Sequence, residues 1–167
     1  MATLRPERSG DATAIHAIHA ASFPTTGEAR LVDALRIAGR LCVSLIAVEQ
    51  DEIVGHVAFS PVSVLGATDG VGLAPVAVLR SHRRRGIAEQ LVRGGLAACQ
   101  RADYGFVVVL GEPGYYRRFG FVPASRLALR DEYAGGEAFQ VLELRPGSIP
   151  PSGGVVRYAQ EFAELGE

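Results

Sequence analysis

A chain of 167 residues with 48% apolar and 21% charged side chains has an ordinary globular composition and enough length to bury one substantial core. Seventeen arginines, no lysine and eighteen acidic residues leave a net charge of −1, which excludes the broad basic face that non-specific nucleic-acid binding needs. No apolar run approaches the length of about 18 that reads as a membrane span, and the opening "MATLRPERSGD" lacks the apolar centre of a signal peptide. The expected location is therefore the cytoplasm, with neither nucleic acid nor membrane as partner. Cys42 and Cys99 match no zinc or redox spacing and read as buried free thiols.

"ATLR" predicts a short opening strand that Pro6 helps to end. Asp11 stands where it would N-cap a helix over about 12–22, with Ile15, Ile18 and Ala21 or Ser22 as its apolar stripe and Pro24 closing it. A second helix over about 28–38 carries Leu31, Val32 and Leu35, with Gly39 at the C-cap. "LCVSLIAVEQ" and "EIVGHVAFSPVSVL" predict a hairpin turning at "QDE". "GVGLAPVAVL", residues 70–79, reads as a strand in which Pro75 marks an edge, a break or a bulge, because it has no N–H for the ladder. A helix from about 85 to 102 would bury Ile87, Leu91, Gly95, Ala98 and Ala102. Its Gly94 and Gly95 cost about 1 kcal/mol each relative to alanine, a cost usually offset by close packing on a sheet. "YGFVVVLG" is apolar throughout, as a strand covered on both faces would be. "PGYYRRF" allows at most two helical turns, "GFVP" and "EAFQVLEL" predict strands, Pro146–Gly154 reads as loop, and 158–165 as a last docked element. The order β-α-α-β-β-β-α-β-α-β-β describes a mixed α/β domain with antiparallel hairpins and one parallel crossover across 72–110.

The run Arg83-Arg84-Arg85-Gly86 lies between a strand and a helix. There the first N–H groups of the helix are free, the helix dipole is positive, glycine lets an anion approach the backbone, and arginines add charged donors. That combination makes a phosphate or pyrophosphate cradle; the alternative is a solvated basic helix start. A P-loop needs Gly-Lys, and there is no lysine; Gly70, Gly72 and Pro75 break a dinucleotide fingerprint; no G-x-S-x-G elbow occurs.

What remains resembles the GNAT N-acetyltransferase superfamily, whose acetyl-coenzyme A signature [Q/R]-x-x-G-x-[G/A] is matched by Arg83-Arg84-Arg85-Gly86-Ile87-Ala88. "YYRRFGF" resembles the second signature of that family, and "VVVLGEPGYYRRFGFVPA" is similar to a bacterial branch of acetyltransferases. The likeness covers roughly residues 2–145, within a single N-acetyltransferase domain over 1–167 whose tail is 146–167. It implies an α/β (α+β) fold: a mostly antiparallel central sheet with a bulged fourth strand and helices on both faces. It also implies acetyl-CoA as cosubstrate with no metal, and transfer of the acetyl group to an amine by direct attack in a ternary complex. On this likeness Val76, Ala77 and Val78 contact the pantetheine through main-chain groups, and Arg83, Arg84, Arg85, Gly86, Ile87 and Ala88 hold the pyrophosphate.

Acetyl transfer requires a neutral amine, and at a lysine-like pKa of about 10.4 only about one in 10³ is neutral at pH 7. It also expels a thiolate, which gains from a proton or a strong hydrogen bond. The resemblance assigns Tyr116 as the general acid, with Tyr115 second. The sequence departs from the commoner pattern at "VVLGEPG", where Glu112 and Pro113 reshape the entry to the short helix. Candidate bases are His56, on a strand face with Ala58 and Ser60, and Glu28 at the start of the second helix; a hydrogen-bonded structural histidine and a water base compete with them. His82 reads as structural. His16 and His19, three apart, have metal-binding spacing without a third ligand. Glu132 and Tyr133 are candidates for the substrate mouth. The acceptor is a small-molecule or protein amine, the "SIPPSGGVV" tail allows a homodimer, and a CoA-binding sensor or partner module without turnover is the competing function.

Overall fold

The structure, a computed structural model, describes residues 1–165. Its contacts divide into two compact units, one of residues 1–60, 74–98 and the chain from 160, the other of 61–73 and 99–159. Two long strands, β3 (Glu52–Val64) and β4 (Ala67–Val78), run through both.

In the first unit, β1 (Thr3–Pro6) pairs with β2 (Val43–Glu49), and β2 pairs with β3, both antiparallel. The hairpin turns at Gln50 and Asp51, both with positive φ (50° and 63°), which matches the right-handed twist of the flanking strands. A register shift falls between Ala47 and Val48. The Leu79 N–H bonds to the Val54 carbonyl at the far end of β4. Two helices follow β1. In α1 (Ala12–Ser22), Ile15 and Ile18 are buried as expected, but the third buried residue is His19, while Ala21 is exposed. Asp11 holds the N-cap position of α1, its carbonyl accepting the Ile15 N–H, but its carboxylate takes the Arg8 N–H at 2.6 Å and Arg5 at 2.8 Å and makes no cap bond to the helix. In α2 (Gly27–Ile37), Ala29, Leu31, Val32 and Leu35 are buried.

The helix after the arginine run, α3 (Ile87–Arg101), buries Ile87, Leu91, Val92, Leu96 and Cys99. Ala102 lies outside it and is exposed. The mid-helix glycines separate in their roles. A Cβ on Gly95 would stand 2.3 Å from the Phe59 ring of β3, whereas one on Gly94 would meet the end of the flexible Leu4 side chain at 2.6 Å. Phe59 therefore faces α3. His56, an odd number of residues away, bonds to His19 of α1, so helices cover both faces of β3.

In the second unit, β5 (Phe106–Leu110) lies parallel to β4 at Gly70, Val71 and Gly72 and antiparallel to β8 (Phe139–Glu143). The short helix α4 (Pro113–Tyr116) and a 3-10 turn over Arg117–Phe119 connect β5 to β6, which is only Val122–Pro123 and pairs with β8. Two further strands escape the sequence pattern. β7 (Leu129–Asp131) lies parallel to β9 (Gly154–Tyr158), and β9 also pairs with the end of β3 at Val62 and Ser63. The tail after the loop is thus a strand, followed by a 3-10 turn in which Phe162 is buried. At the entry to β9, Gly153 has φ +69°, and a Cβ there would stand 2.1 Å from the Ala128 carbonyl oxygen. Val62, Phe106, Val108, Phe139, Val141 and Val156 form the core. The path β1-β2-β3-β4-β5-β8-β6 makes an open, mostly antiparallel sheet.

The two glycines of α3 predict opposite responses in urea unfolding. Gly95→Ala drives a methyl into the Phe59 ring and is expected to destabilise by about 1–3 kcal/mol, as overpacking does. Gly94→Ala is expected to change stability by less than about 1 kcal/mol, because helix propensity offsets a small shift of Leu4. Equal effects at both would contradict the helix–strand contact.

Candidate active site

The turn joining β4 to α3 gathers backbone N–H groups at the start of a helix. Arg84 and Gly86 both have positive φ, 65° and 78°, and left-handed residues in a turn aim successive N–H groups into a common concavity. The Gly86 carbonyl accepts the Gln90 N–H, so Gly86 caps the helix and the N–H groups of Ile87, Ala88 and Glu89 lie in its open first turn. A Cβ on Gly86 would meet no protein atom within 4 Å. Glycine is therefore favoured here by conformation and not by neighbouring protein.

The three arginines do different things. Arg83 Nε donates to the Val78 carbonyl at 3.1 Å, tying the turn to the strand end. Arg85 pairs with Glu49 at 3.4 Å. Arg84 is exposed and makes no ion pair among the described residues, which leaves its charge available to a ligand. His82 bonds to Ser81 at 2.8 Å and lies 3.5 Å from Glu49, as a structural histidine would. Of the strand residues, Ala77 and Val78 are buried and Val76 half-buried.

In the other unit, the Glu112 carbonyl starts α4 by accepting the Tyr115 and Tyr116 N–H groups, and Gly120 ends the following turn with φ 98°. Tyr116 is buried in an aromatic cluster, its ring centroid 5.1 Å from Tyr115, 5.7 Å from Phe121 and 6.0 Å from Phe119. Burial, with a smaller contribution from Tyr115, raises the phenol to about 12. Tyr115 is half-buried, with the Arg118 guanidinium over its ring at 4.4 Å. Asp131 and Glu132 lie at the end of β7; Glu132 accepts the Tyr158 N–H at 2.9 Å, and the exposed Tyr133 ring packs on Tyr158 at 5.8 Å.

His56 is fully buried with both ring nitrogens engaged: Nδ1 lies 2.8 Å from His19 Nε2, and Nε2 lies 2.8 Å from Ser44 Oγ. No nitrogen of this ring is open to a substrate. Ser44 donates to Glu7 at 2.6 Å, and Glu7 is held by Arg36 at 2.6 and 3.2 Å. Arg36 also reaches Asp33 at 3.0 Å, whose second oxygen bonds to His16 at 2.7 Å. His16 and His19 thus serve different partners, and among the described residues no group of three metal-ligating side chains occurs. Glu28 is half-buried in the first turn of α2. Cys99 is buried and Cys42 only half-buried, both as free thiols. The network through Glu7, Ser44, Asp33 and Arg36 has no signature in sequence, since its members are up to 37 residues apart.

Burial lowers His19 from its ordinary value to about 4 and His56 well below its own. Below about pH 6.5 the unfolded rings take up protons that the folded rings refuse, so stability falls as pH drops through that window. Above it both states are neutral and these histidines contribute no slope. Urea unfolding between pH 8 and 5 is expected to be flat at the alkaline end and to lose about 1.4 kcal/mol per pH unit per histidine below 6.5. A flat profile throughout would mean that the rings are solvated.

The comparisons agree with this geometry. A family model described as "Acetyltransferase (GNAT) domain" matches residues 3–124. The N-acetyltransferase YhbS of Escherichia coli (strain K12) is 41% identical over 162 residues, 95% of this chain and 97% of its own. The crystal structure of Escherichia coli YhbS in complex with CoA superposes with TM-score 0.92 at 40% identity, covering 97% of this chain and 92% of that one. A GNAT family acetyltransferase from Brucella melitensis in complex with acetyl-CoA gives TM-score 0.82 at 38% identity, covering 97% and 98%. With a matching family model, two similar structures and a helix that opens on the arginine–glycine turn, this chain belongs to the GNAT acetyltransferase family.

Proposed function

We propose that this protein transfers the acetyl group of acetyl-CoA to a primary amine, of a small molecule or of a protein, by direct attack in a ternary complex, and that the chain works as one N-acetyltransferase domain. The observation that carries the reading is the turn Arg83–Ala88, with its two left-handed residues, its open helix start and an exposed Arg84 that makes no ion pair among the described residues. A diphosphate fits it by charge and by the free space over Gly86. The relatives crystallised with CoA and acetyl-CoA support the same ligand. Val76, Ala77 and Val78 are the proposed main-chain contacts of the pantetheine arm.

Tyr116 is the proposed partner of the departing thiolate. With its phenol at about 12 and a thiol near 8.5, full proton transfer from Tyr116 would run uphill by about 5 kcal/mol. Its role is therefore a hydrogen bond to the thiolate. Such a bond to a charged acceptor is worth about 1.5–3 kcal/mol.

The first measurement is the melting temperature with acetyl-CoA, CoA and, as control, NAD. At 100 times its dissociation constant a ligand adds about 2.7 kcal/mol, and for a chain of this size that is expected to raise Tm by roughly 5–10 °C. A shift with both CoA species but not NAD is expected, and Gly86→Val, which forces a branched residue into a left-handed conformation, is expected to abolish it. Tyr116→Phe should keep the shift while slowing CoA release with amines about 10–100-fold. Unchanged turnover in that variant would remove Tyr116 from the reaction, and no turnover of any amine by a wild type that binds CoA would favour a sensor.

A further inference from the structure

We propose that Arg84 selects coenzyme A over nucleotides that lack its 3′-phosphate, by holding that phosphate while the backbone of the same turn holds the diphosphate. The proposal rests on the acetyltransferase reading and adds to it the residue that decides which thioester carrier is accepted.

Coenzyme A carries two separate anionic groups. The diphosphate joins two esters and bears one charge per phosphorus. The 3′-phosphate is a monoester on the ribose and bears nearly two charges above pH 7. Backbone N–H groups at a helix start suit the diphosphate, because Gly86 has no side chain and no protein atom stands within 4 Å of where its Cβ would be. The monoester hangs one sugar away. A turn that grips the diphosphate with its backbone must therefore reach the monoester with a side chain. A guanidinium suits that task, since it presents two parallel N–H donors to two oxygens of one phosphate.

Four arginines stand near enough in sequence, all in the first unit, and their existing partners sort them. Arg83 is committed through Nε to the Val78 carbonyl at 3.1 Å. Arg85 lies 3.4 Å from Glu49, a carboxylate that also stands 3.5 Å from His82. That negative charge beside Arg85 disfavours a phosphate there. Arg80 opens the 3-10 segment Arg80–His82 and precedes the turn. Arg84 lies within the turn, two residues before Gly86, is exposed, and makes no ion pair or side-chain hydrogen bond among the described residues. Its backbone adds an independent point. At φ 65° it occupies the left-handed region, where most side chains are strained and glycine or asparagine is the ordinary occupant. Nothing inside the protein rewards an arginine at this position: it fills no core and neutralises no carboxylate. A strained, exposed cation beside an open helix start is accounted for by a ligand outside the chain.

Titration calorimetry of the full chain tests this with two probes, CoA and dephospho-CoA. The second keeps the diphosphate and the pantetheine and lacks only the 3′-phosphate. The wild type is expected to bind CoA about tenfold or more tighter than dephospho-CoA, the size of one hydrogen-bonded contact between charged groups. Arg84→Gly is expected to lose this preference and to bind both probes with the wild-type affinity for dephospho-CoA. Glycine takes a positive φ without strain, so this variant is expected to stay folded. Arg84→Asn, a residue that also adopts the left-handed conformation, gives the same readout should glycine loosen the turn. Arg80→Gln and Arg85→Gln are the controls, expected to weaken both probes by equal factors and to keep the preference. The proposal is overturned, with the acetyltransferase reading left standing, by any of three results: a wild type that binds both probes alike, a preference that survives in Arg84→Gly, or a preference abolished by Arg80→Gln or Arg85→Gln. A wild type that binds neither probe overturns the proposal and the acetyltransferase reading together.

Discussion

The start of α3 can offer bare N–H groups to an anion only because the rest of the helix is held in place. Gly95 lets the helix approach until its backbone meets the Phe59 ring, and Gly55 of β3 leaves room for Leu91, whose methyl would stand 2.9 Å from a Cβ there. The same Gly55 position faces the Ala77 carbonyl at 3.3 Å, so strand β3, the end of β4 and α3 are brought together by two absent side chains. Ile87, Leu91, Val92 and Leu96 then bury the apolar stripe. Arg83 completes the arrangement from the other side by bonding the Val78 carbonyl. On the proposed function, a diphosphate arriving at this turn finds its donors already ordered, which is the condition for electrostatic binding without a large entropic cost.

Strand β3 divides its labour by the two-residue period. Phe59 and its odd-numbered neighbour Val57 serve packing; the even positions carry His56 and Ser60, both fully buried. Burying two polar side chains on one face costs several kcal/mol unless they are bonded. His56 is fully engaged, and the cost of its burial is met by a chain of partners that ends at Glu7 and Arg36 on the rim of an open groove. A polar chain of this kind ties α1, β2 and β3 together.

Much of the site was legible because it is local. The cradle lies within six consecutive residues, and the requirement for glycine at 86 and a helix start at 87 follows from chain geometry alone. Hairpins and helices with strong periodicity were legible for the same reason. β7 and β9 were not. Three residues at Leu129–Asp131 and five at Gly154–Tyr158 pair in parallel some 25 residues apart, brought close where Gly153 passes the Ala128 carbonyl, and the second strand also pairs with the end of β3. His19 was hidden by a sounder-looking rule, since an apolar stripe on α1 should end in Ala21. The ring is buried because its partner, His56, lies 37 residues away, and no window of sequence contains both. The left-handed conformation of Arg84 in the cradle was equally invisible to residue type.

On the proposed reaction, the proton balance explains why one end of the site needs a base and the other needs no acid. The ammonium must lose one proton before it attacks, at a cost of roughly 4–5 kcal/mol at pH 7. Once nitrogen has bonded to the acetyl carbon, its second proton becomes far more acidic and suits the thiolate, whose conjugate acid lies near 8.5. A phenol at about 12 is too weak an acid to give up its proton in that step, which is why the proposed role of Tyr116 is a hydrogen bond to the sulfur. The net proton released equals the one lost by the ammonium.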